Sequence, residues 1–233
     1  MKIKLMLTLL ILLTLISVIH PVSLLTPSGG NHEARGEVIG SDELGTVERL
    51  GPYGNHDSPI RIAIITGVHP LEGDAHSAMI QAVEENSDRL RYMYVIYHVN
   101  VTRDPSDYER GRMAGQVLAG RYVVPDVSAG DYALAVDVHS NRGNYAVRRF
   151  VFTPLPEERS RGIAMELSSR ISWLSYHFPE SQTSPAYVTE PLIRNGIPAI
   201  LYENYMYQDP SRTLEDAREF LMTLDSIDVS MFN

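Results

Sequence analysis

Three short runs constrain this chain more than anything else in it: "RIAIIT" at residues 61–66, "YALAVDV" at 132–138 and "PAILYE" at 198–203. Each is apolar almost throughout. A strand with one face in water alternates apolar and polar residues, whereas a strand covered on both faces need not. The three runs therefore predict central strands of a layered α/β sheet. Two more strands are expected at 93–101 ("MYVIYHVNV") and 147–153 ("VRRFVFT"), and helical patterning marks 73–86, 156–171 and 211–225. The last of these follows a cap region at Asp209 to Ser211 and carries acidic residues in its first turns, which complement the helix dipole.

With 233 residues, 44% of them hydrophobic and 21% charged, the chain can bury one substantial core. The net charge of −9, with no cluster of Lys and Arg, argues against a nucleic-acid partner, because phosphate binding needs concentrated positive charge. Lysine occurs only at Lys2 and Lys4, directly before the apolar run "LMLTLLILLTLISVI" at 5–19. That order predicts a signal peptide or signal-anchor over 1–25, with the rest of the chain extracytoplasmic, either secreted or tethered to the membrane. Residues 26–59, rich in Gly, Ser, Pro, Asn and Asp, read as a linker and irregular lead-in, with the fold beginning between Arg35 and Val47. Residues 60–233 are expected to carry the catalytic domain. No cysteine is present, so neither a disulfide framework nor a lipidated cysteine is available. The "NVT" triplet at Asn100 lies in or beside an expected strand and reads as a chance sequon.

Chemistry gathers where the three buried strands end, which is where open α/β sheets place their sites. "GVHPLE" supplies His69 and Glu72, "VDVHSNRG" supplies Asp137, His139, Ser140, Asn141 and Arg142, and "AILYENY" supplies Glu203. Two imidazoles and one carboxylate form a common ligand set for catalytic zinc. His69, Glu72 and His139 make up that set, and Glu203 is then free to act as proton acceptor. A planar guanidinium could stabilise an oxyanion or clamp a substrate carboxylate, and Arg142 is the nearest in sequence. Taken singly, each signal is weak: an HxxE triplet recurs by chance, a strand histidine is more often a packed core residue, and a lone glutamate can simply pair with an arginine. Their joint occurrence at strand ends favours the metal reading. His76 falls about one turn into the helix after Glu72 and reads as structural, and Asp137 shares the side of His139 and could support it. Tyr202, Tyr205 and Tyr207 flank Glu203 and could equally be sheet packing or a substrate rim; Tyr205 is the candidate taken for substrate contact.

These motifs, in this order across roughly residues 60–205, resemble the zinc carboxypeptidase superfamily, including its succinylglutamate desuccinylase and aspartoacylase branch, whose first motif is likewise GxHxxE. The resemblance implies a three-layer α/β/α sandwich with a mixed, largely parallel central sheet and one Zn2+. It implies His69, Glu72 and His139 as ligands and Glu203 as general base. "DPSDYERGR" is similar to the arginine-bearing segment of the family, which makes Arg110 or Arg112 the oxyanion arginine. The interval between the first two ligand motifs lacks the Asn-Arg pair by which relatives hold a substrate carboxylate, so Arg142, with Asn141, or Arg121 is expected to take that part.

The expected function is an exported or membrane-tethered zinc hydrolase of amide bonds, acting on a peptide, a cell-wall peptide being the natural guess for an extracytoplasmic enzyme. An N-acyl amino acid deacylase and a non-catalytic surface binding module on the same fold are the rivals. A serine hydrolase built on Ser140 is disfavoured, because the G-x-S-x-G elbow is missing around it.

Overall fold

The structure, a computed structural model, describes residues 36–180 and 184–232. The segment at 1–25 expected to be a signal peptide or signal-anchor lies outside them. Eight strands form one mixed sheet: β1 (Glu37–Asp42), β2 (Gly45–Gly54), β3 (Arg61–Thr66), β4 (Met93–Val101), β5 (Leu134–Asn141), β6 (Phe150–Phe152), β7 (Ser175–Tyr176) and β8 (Ala199–Tyr205). Their spatial order is β1-β2-β4-β3-β5-β8-β6-β7. The central set β4-β3-β5-β8 is parallel, while β2 and β6 join it antiparallel. Among the described residues, six α-helices accompany the sheet: α1 (Gly73–Asn86), α2 (Tyr108–Leu118), α3 (Val124–Ala129), α4 (Glu158–Arg170), α5 (Thr189–Arg194) and α6 (Pro210–Ser226).

The uniform apolarity of the central strands follows from this layering. Ile62, Ile64, Leu134, Val136, Ile200 and Tyr202 pack into one core with α1, α4 and α6. Their neighbours Ala63, Ile65, Ala135 and Ala199 pack into a second core with α2, α3 and α5. Successive strand residues point to opposite faces, so both sets must be apolar when helices cover both faces. The expected three-layer α/β/α sandwich is the observed one.

Two segments depart from the sequence reading. The part of 26–59 expected to be irregular forms β1 and β2, which extend the sheet beside β4. Gly51 and Pro52 hide the strand period there, and the register of β2 against β4 breaks between Leu50 and Tyr53 at that point. The sequence marks no helix over 108–129, because Gly111, Gly115, Gly120 and Pro125 depress helix propensity. The chain is nevertheless helical there, with a π-helical turn at Ala119–Val123 joining α2 to α3. Packing explains why glycine is used. A Cβ on Gly115 would lie 1.9 Å from the Val68 carbonyl oxygen, and one on Gly111 would lie 3.1 Å from Pro70 Cγ. The glycine pair lets α2 lie directly on the loop after β3. Asp107 caps the helix, its carboxylate accepting the Arg110 backbone N–H.

Candidate metal centre

β3 ends at Thr66, and Gly67 turns the chain at φ +82°, a conformation that favours glycine. The turn brings His69 and the short 3-10 segment Pro70–Glu72 over the ends of β3 and β5. His139 and Glu203 sit directly opposite one another in the parallel register of β5 and β8. Three loops or strand ends thus deliver His69, Glu72, His139 and Glu203 to one buried place.

The donor atoms of His69, Glu72 and His139 lie within 4.8 Å of one another. His69 Nδ1 is 2.9 Å from Glu72 Oε1, and His139 Nδ1 is 3.0 Å from Glu72 Oε2. The Ser140 backbone N–H also donates to Oε2, at 3.0 Å, and Arg112 Nη1 donates to Oε1, at 3.0 Å. A tetrahedral zinc with bonds of about 2.1 Å holds its donors about 3.4 Å apart. The two histidine–carboxylate contacts are shorter than that while the set as a whole reaches 4.8 Å, and Arg112 Nη1 stands 3.1 Å from His69 Nδ1, so an ion would require the donors to rearrange and Arg112 to draw back; the two-imidazole, one-carboxylate set suits such an ion. In donor chemistry the residues present therefore fit a metal ion.

Electrostatics reinforce the fit. Burial opposes charge on Glu72, but His69 and His139 outweigh it and hold the carboxyl well below its usual range. Burial likewise disfavours charge on His139, yet Asp137 and then Glu72 overcome it and raise that imidazole well above its ordinary value. His69 moves the other way, lowered by burial against the pull of Glu72. Asp137 Oδ1 stands 3.0 Å from His139 Nε2, too oblique for a good hydrogen bond, while Oδ2 accepts the Thr189 hydroxyl at 2.9 Å. His76 is buried, its Nε2 3.1 Å from the Val138 carbonyl oxygen, and burial pushes it down to about 3. It supports the strand and is not among the converging donors, in keeping with its helical position.

Glu203 is pushed up to about 8, first by burial and then by the negative charge of Glu72. It borders a cavity of about 130 Å3 that Glu72, Arg112 and Arg142 also line. Of the two oxyanion candidates, the structure brings only Arg112 to the site. Arg110 is exposed and spends its guanidinium on Asp107 and Asp104. Residues two apart on a helix point about 200° apart, so α2 cannot present both. Arg142 stacks on the Tyr108 ring at 4.5 Å, at the cavity wall, and Arg112 approaches the same ring at 5.1 Å. Arg121 lies elsewhere, paired with Asp42.

Two expected substrate contacts have other employment. Asn141 borders the cavity, but its Nδ2 donates to the Arg148 and Asn204 carbonyls, both at 2.9 Å, and to Glu203 Oε2 at 3.3 Å. Its Oδ1 accepts the Gly143 N–H. Asn141 therefore clamps the ends of β5 and β8 and orients Glu203, its Oδ1 keeping one acceptor position besides the Gly143 bond. Tyr205 lies under the Arg148 guanidinium at 4.6 Å and edge-on to Tyr207, away from the cavity lining. Sequence reasoning missed Tyr108 and Gln116, whose Nε2 is 3.2 Å from His69 Nε2. Both sit on α2, and the i, i+4 spacing of Arg112 and Gln116 would have exposed the pair had a helix been expected there.

No protein-family model matches the sequence, and no curated protein matches it. Solved structures do. A metallo-carboxypeptidase from Burkholderia cenocepacia superposes with a TM-score of 0.57 at 12% identity, over 87% of this chain and 66% of that one. The chain has the zinc carboxypeptidase fold. A metallo-carboxypeptidase from Pseudomonas aeruginosa, in complex with (2-guanidinoethylmercapto)succinic acid, gives 0.50 at 15% identity over 82% of this chain and 62% of that one. The cell shape determinant protein Csd4 of Helicobacter pylori gives 0.51 at 10% identity over 76% and 53%. This chain spans less than two thirds of the length of each of these three carboxypeptidase-fold proteins.

Proposed function

We propose that the chain is a zinc-dependent hydrolase that cleaves an amide bond in a peptide outside the cytoplasm. The observation that carries this reading is the buried convergence of His69, Glu72 and His139, with Glu203 in register beside His139. His69, Glu72 and His139 would hold the ion, which when bound supplies Lewis acidity toward a carbonyl and toward water. Glu203, buried beside Glu72 and in register with His139, is placed to take a proton from water and return it to the leaving nitrogen once a bound cation offsets the Glu72 charge that raises it. Asn141 keeps that carboxyl aimed. Arg112, anchored on Glu72, presents its remaining N–H groups to the cavity as oxyanion donors. Arg142, ordered by stacking on Tyr108, is placed to meet an anionic group of the substrate.

Two features support an extracytoplasmic peptide as substrate: the Lys2 and Lys4 region followed by the apolar run at 5–19, and the shared fold with a protein described as a cell shape determinant. Among the described residues, no helix is long and apolar enough to cross a membrane. A cell-wall peptide is the substrate to try first, with N-acyl amino acids as the comparison set. The small cavity and the internally committed Asn141 favour a second reading, a binding module on the same fold.

The test is metal content by elemental analysis together with turnover of both substrate sets, for the parent and Glu203→Gln. One zinc per chain in both proteins, with turnover falling about 10²–10⁴-fold in the variant, is expected. A parent without stoichiometric metal would sink the hydrolase reading. A metal-bound parent with no turnover on either set would establish the binding module in its place.

A further inference from the structure

Gln116 is buried, one helical turn past Arg112, and its amide faces the distal nitrogen of His69. Nothing in the proposed reaction uses it. A neutral imidazole carries one N–H and one lone pair. An amide nitrogen donating to His69 Nε2 at 3.2 Å would put the ring proton on Nδ1, toward Glu72 Oε1 at 2.9 Å but also against the donor-only Arg112 Nη1 at 3.1 Å. In that tautomer Nδ1 has no lone pair for a metal. A half-turn of the amide about its terminal bond, which preserves its shape, sets the carbonyl oxygen against an Nε2–H and frees the Nδ1 lone pair on the side of Glu72 and His139. A carboxylate in the same place could serve only the second arrangement. Asp137, whose Oδ1 stands 3.0 Å from Nε2 of His139 at an oblique angle, is a carboxylate on the corresponding side of the other histidine.

We infer that Gln116 is a positioning residue for His69: with its carbonyl oxygen turned to an Nε2–H, it holds Nδ1 as the ligating atom when a divalent metal binds. The inference rests on the reading that His69, Glu72 and His139 hold a metal. Such partners behind a ligating histidine set its orientation and basicity, and their loss typically weakens metal binding about 10–100-fold. The glycine pair on α2 fits this role, since Gly111 and Gly115 bring the helix close enough to the 67–70 loop for Gln116 to reach the ring.

The experiment titrates the metal-free full chain with Zn2+ against a chromophoric chelator for the parent, Gln116→Leu and Gln116→Glu. Nitrogen-15 spectra of the His69 ring with and without zinc accompany it. The expected result is a Kd about 10–100-fold weaker for Q116L, restored to within a few-fold of the parent by Q116E. In the zinc-bound parent, the His69 proton should sit on Nε2. Q116L binding within two-fold of a zinc-binding parent would overturn the inference while leaving the metal site standing. A parent that binds no zinc would overturn both. Should Q116L fail to fold, the parent spectra still decide, because a zinc-bound His69 that keeps its proton on Nδ1 refutes the inference.

Discussion

The same chemical change, glycine to alanine, should have opposite effects at two positions in this protein. At Gly115 an added Cβ would lie 1.9 Å from the Val68 carbonyl oxygen and 2.8 Å from its carbonyl carbon. Ordinary carbon–oxygen contacts are no closer than about 3.3 Å, so α2 must retreat by over ~1 Å. The retreat carries Arg112 and Gln116 with it, stretching their 3.0 Å and 3.2 Å contacts to Glu72 and His69 beyond hydrogen-bond range. Alanine returns about 1 kcal/mol of helix propensity. Against that stand about 1–3 kcal/mol of overpacking and about 1.5–3 kcal/mol for the bond to a charged group. Gly115→Ala should therefore destabilise by about 3 kcal/mol. Gly73, at φ −56° and with nothing within 4 Å of where a Cβ would stand, bears no such conflict, and Gly73→Ala should stabilise by about 0.4–1 kcal/mol. Urea unfolding followed by circular dichroism reads both. A Gly115→Ala variant as stable as the parent would refute the claim that this glycine sets the height of α2 above the site.

Two further predictions rest on buried polar groups. His76 is held at about 3 against an ordinary 6.5, so the folded state binds fewer protons than the unfolded chain below pH 6.5, and stability falls as pH drops through that window. The loss approaches about 1.4 kcal/mol per pH unit, or about 2 kcal/mol from pH 6.5 to 5; unfolding curves of His76→Gln should be flatter by that amount, and equal slopes would contradict the assignment. Asp216, fully buried, pairs with Arg149 at 2.9 Å and Arg212 at 2.8 Å and accepts from Gln208. Asp216→Ala strands these partners and should cost about 3 kcal/mol, read as a lowered midpoint of thermal unfolding; a midpoint within a degree of the parent would show the pairs to be solvated instead.

What the sequence discloses here depends on whether a signal is local. β3, β4 and α1 can be read to the residue because their apolar patterning runs without interruption. The same holds for His69, Glu72, His139 and Glu203, each placed by the end of an apolar run. β1, β2 and α2 are hidden because their glycines and Pro52 answer to partners far along the chain: Gly115 to Val68, and Gly45, whose Cβ would lie 2.1 Å from the Asn100 carbonyl oxygen. Local propensity counts such glycines as breakers, whereas the packed structure uses them as points of close approach. The choice between Arg110 and Arg112 stays open in the sequence for the same reason, since only a helix at 108–118 tells which of the two faces inward. Asn141 and Tyr205 fall where their strands predict, but their hydrogen bonds and ring contacts are tertiary facts.

The pairing of His139 with Glu203 across two parallel strands ties the site to the fidelity of folding. A slip of β8 by one residue would set Tyr202 or Asn204 beside His139 and turn the Glu203 carboxyl to the opposite layer. His69 and Glu72, carried by the loop after β3, would then face a hole with no proton acceptor. The three metal-ligating candidates lie on the loop after β3 and on β5, so such a slip would leave them together and remove only the proton acceptor. Metal content would then read the same in aligned and slipped molecules, and only a probe of Glu203 itself would tell them apart.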